Sequence, residues 1–375
     1  MRSNPTPLAA ILAEQIKSRD RITFAEYMDA CLYHPKHGYY TKADQSERRD
    51  YITSVDVTPL FGRLLARQFH EMWNVLDRPQ PFVLVEAGAG IGRLAKQVLD
   101  CARDSLGEFY SAVRYIAVER SAVRRTAQIQ SLEDHIANGR FCSSEELPAE
   151  IPNGCIFSNE LLDAFAVHRV LRANEDLREI YVTHSQNGFC EELGPLSSAA
   201  IGEYFKAQQI TLREGQMAEA NLAACDWIED AARRLLRGFL LTIDYGDEAR
   251  QLYDDRHMRG TLLAYDRHRT GEDFYRGPGS QDLTAHVNFT ALDLWGARGD
   301  LIRAGFTSQT NFLLALARHS NFADLENTGA TEHKQLAARS LFKMLIHPEG
   351  MGETFKVLIQ QKGIDSLTLA GFQPL

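Results

Sequence analysis

A glycine-rich segment carries the clearest chemical signal in the sequence. It begins at Glu86, ends at Gly92 and reads Glu-Ala-Gly-Ala-Gly-Ile-Gly, directly after the apolar run 82–85. Glycines at such a turn keep side chains away from the backbone, so that a ligand can approach it closely. Two cofactor classes use a turn of this kind between a strand and a helix, namely dinucleotides and S-adenosylmethionine (SAM).

The spacing of the glycines separates the two classes. The dinucleotide fingerprint G-x-G-x-x-G, counted from Gly88, requires glycine or alanine at position 93, where this chain has Arg93. The spacing here is G-x-G-x-G after an acid, which is typical of SAM-dependent methyltransferases. SAM carries a sulfonium and an ammonium group and no phosphates, so a carboxylate such as Glu86 suits it electrostatically. We predict that Glu86, Gly88, Gly90 and Gly92 bind SAM, although a turn that serves only strand–helix packing is the alternative.

Further polar residues follow later strand-like runs. Glu119 ends the next apolar run, where a carboxylate can accept hydrogen bonds from ribose hydroxyls; a surface glutamate is the alternative. Glu160 and Asp163 follow the run 155–157, and Asp244 ends a later one. Because ligands of open α/β sheets bind at the carboxyl ends of the strands, we expect these groups to border one cleft.

The chemistry of the methyl acceptor determines which of these carboxylates could take part in the reaction. Methyl transfer is an in-line displacement at carbon, helped mainly by alignment of the acceptor and by management of its proton. A guanidinium has a pKa above about 12, so no general base deprotonates it in the ground state. Carboxylates would instead hold it by bidentate hydrogen bonds. Glu160 and Asp163 are the candidates, and an acid that complements a helix dipole is the alternative for Asp163.

Alternating strands and helices must position these residues. Apolar runs typical of strands lie at 82–85, 115–118, 155–157, 240–243, 262–265 and 355–359. Helical patterns follow the first two runs. The alternation predicts an α/β fold with a Rossmann-like core, in which helices cover both faces of a mostly parallel sheet.

Interruptions of this pattern predict the domain organisation. The predicted parts are a helical N-terminal cap over the cofactor site (1–80), the core (81–164 and 237–375) and an inserted α+β subdomain on the substrate side (165–236). The cap contains a helix over 7–19 and a capping box that begins at Thr23. The insertion contains strand-like runs at 167–171 and 179–184, then a turn at 187–188, which together predict a small antiparallel sheet, and then a helical stretch over 197–236.

The composition limits the remaining function classes. The chain has 375 residues and a net charge of -9, which argues against a nucleic-acid partner. None of its six cysteines forms a C-x-x-C pair, and its histidines lack metal-ligand spacing, so no metal site is predicted. We also expect a cytoplasmic protein with no membrane partner, because we find neither a signal peptide nor an apolar run of about 20 residues.

Eight short motifs then run along nearly the whole chain in a fixed order. They lie at 22–28, 37–40, 51–54, 60–62, 159–163, 244–246, 282–287 and 351–356. Together they resemble the family of bacterial MidA-like (DUF185) proteins, which also contains a mitochondrial complex I assembly factor that methylates protein arginine. The resemblance implies a SAM-dependent methyltransferase fold and a homodimer.

The resemblance also implies site residues. Thr53 and Ser54 would lie on a loop that folds over the cofactor, Asn159 would bind the cofactor, and His286 would be catalytic. The sequence departs from the family pattern at a few positions, among them Val55, Asp56, Leu161, Leu162, Ala166 and Asn288. These changes are few at the cofactor positions and more frequent where we expect the acceptor.

Three functions therefore compete. The first is a SAM-dependent methyltransferase that acts on a protein arginine, and the second is one that acts on a small molecule such as a specialised metabolite. The third is a non-catalytic assembly protein, against which the intact glycine pattern and Glu119 argue. An NAD-dependent enzyme is disfavoured because Arg93 breaks the dinucleotide fingerprint.

Overall fold

The computed structural model of the chain describes residues 6–41, 54–266, 269–322, 332–365 and 367–374, with the backbone alone at 332–338 and 348–349. The chain forms two compact units. What we call the Rossmann-like unit contains Ile52–Leu161, Ile228–Tyr245 and Gly296–Leu375. What we call the α+β unit contains Met1–Tyr51, Leu162–Trp227 and Gly246–Trp295.

The α-helices of the described residues are numbered in chain order. They are α1 (Pro7–Arg19), α2 (Phe24–Tyr33), α3 (Ser54–Val57), α4 (Leu60–Val75), α5 (Arg93–Ser105), α6 (Gly107–Ala112), α7 (Ala122–Ser131), α8 (Glu133–Ala137), α9 (Ala199–Ala207), α10 (Leu222–Arg234), α11 (Ala249–Leu252), α12 (Phe289–Gly296), α13 (Gln309–His319) and α14 (Glu332–Ile346). None of these helices has the length and apolar content that crossing a membrane requires.

The strands of the same residues are numbered likewise. They are β1 (Ile22–Thr23), β2 (Phe82–Ala87), β3 (Val113–Val118), β4 (Phe141–Ser144), β5 (Gly154–Asn159), β6 (His168–Ala173), β7 (Asp176–Ser185), β8 (Gly188–Gly194), β9 (Met217–Ala220), β10 (Gly238–Asp247), β11 (Leu263–Asp266), β12 (Arg269–Gly271), β13 (Asp282–Thr284), β14 (Val287–Asn288), β15 (Ile302–Ser308) and β16 (Phe355–Lys362).

A largely parallel sheet forms the centre of the Rossmann-like unit. Its strand order is β15-β16-β10-β5-β2-β3-β4; the pairs from β10 to β4 are parallel, and β16 is antiparallel to both of its neighbours. All six residues of β2 are buried, as expected of a parallel strand that is covered on both faces. The predicted Rossmann-like core and its strands at 82–85, 115–118, 155–157, 240–243 and 355–359 are thus confirmed.

Helix α4 covers one face of this sheet. Its buried side chains include Phe61, Leu65 and Phe69, and the ring centroid of Phe69 lies 4.9 Å from that of Phe157 on β5. The apolar residues recur three or four positions apart, which places them on a single helix face. Helix α4 therefore belongs to the same core as the sheet, whereas the sequence analysis had grouped it with an N-terminal cap.

The prediction of a core strand at 262–265 is wrong. Strand β11 lies in a separate three-stranded antiparallel sheet of the α+β unit, between β12 and β13. Only Ala264 of its four residues is buried, whereas all six residues of β2 in the parallel sheet are buried. A short apolar run indicates a strand but not the sheet it joins, because that depends on residues distant in the chain.

The α+β unit also contains a five-stranded antiparallel sheet. Its order is β1-β7-β6-β9, with β8 added beside β7. The predicted antiparallel strands at 167–171 and 179–184, the helix over 7–19 and the capping box from Thr23 to Glu26 are confirmed. Because β1 pairs with β7, the N-terminal helices group with the insertion, a division that differs from the predicted parts. The cap's place over the cofactor site and the insertion's substrate-side role stay predictions.

The fold predicts the effect of truncating the α4 core. Phe69→Ala should lower the free energy of unfolding by about 3–5 kcal/mol, because it leaves a cavity beside Phe157. Val123→Ala on α7, where the side chain is 59% exposed, should change it by less than about 0.5 kcal/mol. Urea unfolding followed by fluorescence would measure both changes. Equal changes in the two variants would contradict this packing.

Candidate functional site

The carboxyl ends of β2, β3 and β5 lie side by side at one edge of the parallel sheet. In the two ladders, Ala87 of β2 is opposite Val118 of β3 and Ser158 of β5. Neighbouring strands are about 4.8 Å apart, so the segments that follow these strands are also neighbours. This places the glycine turn, Glu119 and Asn159 together, as the sequence predicts.

The glycine turn opens toward free space at its centre. The φ angles of Gly88, Gly90 and Gly92 are +73°, +53° and +81°, a left-handed conformation that suits glycine. A Cβ atom at Gly88 would lie 2.8 Å from the side chain of Leu161, whereas one at Gly90 would meet no atom within 4 Å. The left-handed φ therefore favours glycine at position 88, and Gly90 also leaves the backbone open to a ligand.

Glu119 holds the glycine turn in place. Its Oε2 accepts the N–H of Gly90 at 3.0 Å, and its Oε1 accepts the N–H of Ser121 at 2.9 Å. A carboxylate has about four acceptor sites, so capacity remains for the predicted ribose hydroxyls. The structure thus adds a second role for Glu119, which the sequence analysis did not anticipate.

Glu86 is a buried acid beneath the turn. The hydroxyl of Tyr115 on β3 donates to its Oε2 at 2.5 Å. Burial and the nearby charge of Glu119 raise the pKa of Glu86 to about 8, although the Tyr115 hydrogen bond opposes this shift. The sequence suggested an ionised carboxylate, whereas a pKa of about 8 makes it mostly protonated at neutral pH; a cationic ligand nearby would favour ionisation.

Glu160 provides a carboxylate directly after β5. Its Oε1 accepts the backbone N–H of Ser54 at 3.1 Å and the side-chain N–H of Asn159 at 3.2 Å. The φ angle of Glu160 is +53°, which a non-glycine residue adopts rarely and which turns the chain sharply. The next N–H, of Leu161, donates to Oδ2 of the buried Asp244 at 3.1 Å, so Asp244 borders the same edge.

Buried oxygen atoms beside this edge lack hydrogen-bond partners among the described residues. They are the Oγ of Ser158, the Oγ1 of Thr242 and the Oδ1 of Asn159. Ser158 and Thr242 lie directly opposite each other in the β5–β10 ladder. An unsatisfied buried polar group costs about 1–3 kcal/mol, so these atoms favour a bound polar group or water. The Asn159 oxygen is an acceptor suited to an ammonium group.

The other two predicted catalytic residues lie in the α+β unit. Asp163 is buried in the 3-10 turn Leu162–Ala164, and its backbone oxygen accepts the N–H of Ala285 at 3.0 Å. The adjacent His286 donates its own N–H to the Oγ1 of Thr261 at 3.1 Å. The structure therefore brings Asp163 and His286 together, while their roles stay predictions. Thr53 lies outside the described residues.

One departure from the family pattern has a structural explanation. The side-chain amide of Asn288 donates to the Oε1 of Gln208 at 2.7 Å and to the hydroxyl of Tyr204 at 2.9 Å. Its Oδ1 accepts the N–H of Ala291 at 3.2 Å, in the first turn of α12. Asn288 thus caps this helix within the α+β unit.

The sequence matches a known protein family over most of its length. The model of a family described as S-adenosyl-L-methionine-dependent methyltransferases matches residues 64–307. The chain belongs to this family. Its predicted enzyme class and its predicted cofactor, SAM, are thereby confirmed.

Relatives of this methyltransferase cover nearly the whole chain. Protein arginine methyltransferase NDUFAF7, mitochondrial, of Homo sapiens is 28% identical over 384 residues, which span 94% of this chain and 83% of that protein. The NDUFAF7 homolog of Drosophila melanogaster is 26% identical over 396 residues, spanning 97% and 88%. These matches confirm the predicted resemblance to the MidA-like family.

A solved structure agrees with the fold. A COG1565 superfamily member from Burkholderia thailandensis, bound to S-adenosyl-homocysteine, superposes with a TM-score of 0.86 at 30% identity. The match covers 99% of this chain and 98% of that one. The described residues of this chain therefore have the fold of that methyltransferase relative.

The residues at the sheet edge fit SAM as a ligand. When bound, SAM supplies an electrophilic methyl group on a cationic sulfur. Gly90 leaves space for it, Glu119 and Asn159 provide acceptors for its hydroxyl and ammonium groups, and Glu86 provides a titratable negative charge. These residues would hold the cofactor in the methyltransferase.

A substitution at Gly90 tests this assignment. Gly90→Val should weaken SAM binding by at least about tenfold, because the side chain enters the open space and its backbone conformation is strained. Gly139→Val is the matched control, since Gly139 has a φ of +68° and an equally open Cβ position away from the glycine turn. Calorimetric titration should show that the control keeps its affinity. Equal losses in both variants would reject Gly90 as a cofactor residue.

The raised pKa of Glu86 predicts a pH-dependent stability. The pKa is about 8 in the fold and about 4.3 in an unfolded chain. The stability that the protonated carboxyl confers is full below about pH 4 and is lost as the pH rises through about 8. Without added SAM, the melting temperature of Glu86→Gln should therefore rise relative to wild type between about pH 4 and pH 8. A difference that stays constant over this range would contradict the shifted pKa.

Proposed function

We propose that this enzyme methylates the side chain of arginine in a protein acceptor. The two relatives described above, both named protein arginine methyltransferase, align with 94% and 97% of the chain. Their similarity supports a protein arginine as the methyl acceptor. The carboxylate of Glu160 supplies a physical reason for this acceptor.

Methylation of arginine requires a carboxylate that holds the guanidinium group, because no general base removes its proton before the reaction. The guanidinium keeps its proton at any physiological pH, because its pKa exceeds about 12. A carboxylate oxygen can accept N–H bonds from this planar group, orient one nitrogen and receive the proton which that nitrogen loses. In Glu160 this oxygen would be Oε2, because Oε1 already accepts two hydrogen bonds. Glu160 stands where such a carboxylate would act, at the same sheet edge as the cofactor residues.

The orientation of the Glu160 carboxylate is the single observation that carries this proposal. Two donors, the N–H of Ser54 and the amide of Asn159, hold its Oε1 at 3.1 and 3.2 Å. A carboxylate with one oxygen fixed in this way has few orientations, so it can present a defined face to a guanidinium. Asp163 and His286 are proposed to assist on the acceptor side, as the family resemblance implies.

Transfer of labelled methyl groups tests the proposal. Wild-type enzyme with methyl-labelled SAM should produce methylarginine in an extract from cells that lack the enzyme, detected by mass spectrometry of hydrolysed protein. Glu160→Gln should lower this transfer on the order of 100-fold and retain SAM binding, because the neutral amide still fills the site but loses charge-assisted bonds.

The matched control is Glu108→Gln, which changes the same residue type on an exposed helix and should leave transfer unchanged. Label in a small molecule and none in arginine would overturn the arginine proposal in favour of a metabolite acceptor. SAM binding with no transfer to any acceptor would favour the non-catalytic alternative.

Two further expectations from the sequence stay predictions. The relatives' names describe those proteins as mitochondrial, and a cytoplasmic location is our expectation for this chain. The homodimer is likewise expected from the family resemblance, and sedimentation of the purified protein would measure its mass.

A further inference from the structure

The short helix α3 is held by side chains from other parts of the Rossmann-like unit. The Arg93 guanidinium, at the start of α5, forms an ion pair with the carboxylate of Asp56. One turn further along α5, the Gln97 amide donates to the backbone oxygen of Val55 at 3.0 Å. The Ser54 hydroxyl donates to the Oε1 of the buried Gln309 on α13 at 3.1 Å.

The same helix contacts the proposed acceptor-binding carboxylate. The N–H of Ser54, its first residue, donates to the Oε1 of Glu160 at 3.1 Å. Continuous contacts therefore link Arg93 and Gln97 through α3 to Glu160. Arg93 directly follows Gly92, so one end of α5 is attached to both the glycine turn and α3.

Helix α3 cannot keep this position by itself. It has four residues, and an isolated helix of that length is unstable because nucleation costs more than one turn of hydrogen bonds returns. Its place depends on the tertiary contacts just described. Gln97 is especially suited to this task, since its Oε1 also accepts the N–H of Gly62 at 3.2 Å and thereby fixes its own orientation.

We propose that Arg93 and Gln97 are positioning residues for methyl transfer, which hold α3 so that the Ser54 N–H fixes the Glu160 carboxylate. Neither residue needs to touch the acceptor. Their effect on the reaction rests on the proposed role of Glu160, whereas their effect on the position of α3 does not. The Arg93 side chain is 41% exposed and that of Asp56 is 16% exposed, so the ion pair should act through geometry more than through overall stability.

Kinetics of neutral variants test the effect on the reaction. Arg93→Gln and Asp56→Asn should each lower kcat roughly 10- to 100-fold, because displacement of a catalytic group by about 1 Å has effects of this size. The Kd for SAM should change by a smaller factor than kcat, since the contacts that Arg93 and Gln97 make with α3 are separate from the hydrogen bond by which Glu119 holds Gly90. The double variant should be no slower than the slower single variant, because both changes remove one shared interaction.

Hydrogen exchange tests the position of α3 without any acceptor. Peptides that contain residues 54–57 should exchange at least about tenfold faster in Arg93→Gln than in wild type. The control is Lys96→Gln, which removes another cation from α5 that pairs with Asp100 of the same helix at 3.3 Å. It should change neither exchange at 54–57 nor kcat. If Arg93→Gln fails to fold, Gln97→Met, which removes both hydrogen bonds of that amide, is measured in the same way.

The outcomes separate this inference from the proposed function. Unchanged exchange at 54–57 together with unchanged kcat in Arg93→Gln would overturn the positioning role. An inactive Glu160→Gln beside a fully active Arg93→Gln would also reject it and leave the proposed function intact. If wild type methylates no arginine, the proposed function fails, and faster exchange in Arg93→Gln and Gln97→Met would still establish that these residues hold α3.

Discussion

The parallel register of β2, β3 and β5 is the constraint on which the rest of the site depends. Hydrogen bonds between these strands place Ala87, Val118 and Ser158 at one edge of the sheet. Backbone groups of buried strands must be paired, so the apolar interior fixes this register and with it the segments that follow each strand. The glycine turn, Glu119 and Glu160 owe their proximity to strand pairing, because no short stretch of sequence contains all three.

Acidic side chains lie close together at this edge, and their burial costs free energy. Glu86, Glu119 and Asp244 are all buried there, and burial of one acid near another disfavours ionisation, as the raised pKa of Glu86 indicates. Hydrogen bonds from the turn and from Tyr115 offset part of this cost. A cationic cofactor would offset more of this desolvation cost. The buried acids therefore favour a positively charged ligand at this site.

Different structural elements position the cofactor residues and the proposed acceptor-binding residue. Cofactor residues lie on strand ends and on a turn that begins a long helix, which are rigid elements suited to a fixed ligand. The acceptor-side carboxylate, Glu160, instead depends on a four-residue helix and its side-chain contacts. A change in α3 could therefore move the Glu160 carboxylate without altering the parallel sheet.

Local sequence patterns determined the fold class and the cofactor of this protein. The G-x-G-x-G spacing, the apolar strands and the capping box at Thr23 follow from conformational needs of a few neighbouring residues, and they sufficed to predict the Rossmann-like fold and SAM. The tertiary structure alone decided that 262–265 joins a separate sheet, that Tyr115 bonds to Glu86, and that Arg93 pairs with Asp56. The two side-chain contacts join residues 29 and 37 positions apart, and the sheet of 262–265 depends on pairing with β12 and β13, so packing and strand pairing decide these features and local pattern does not.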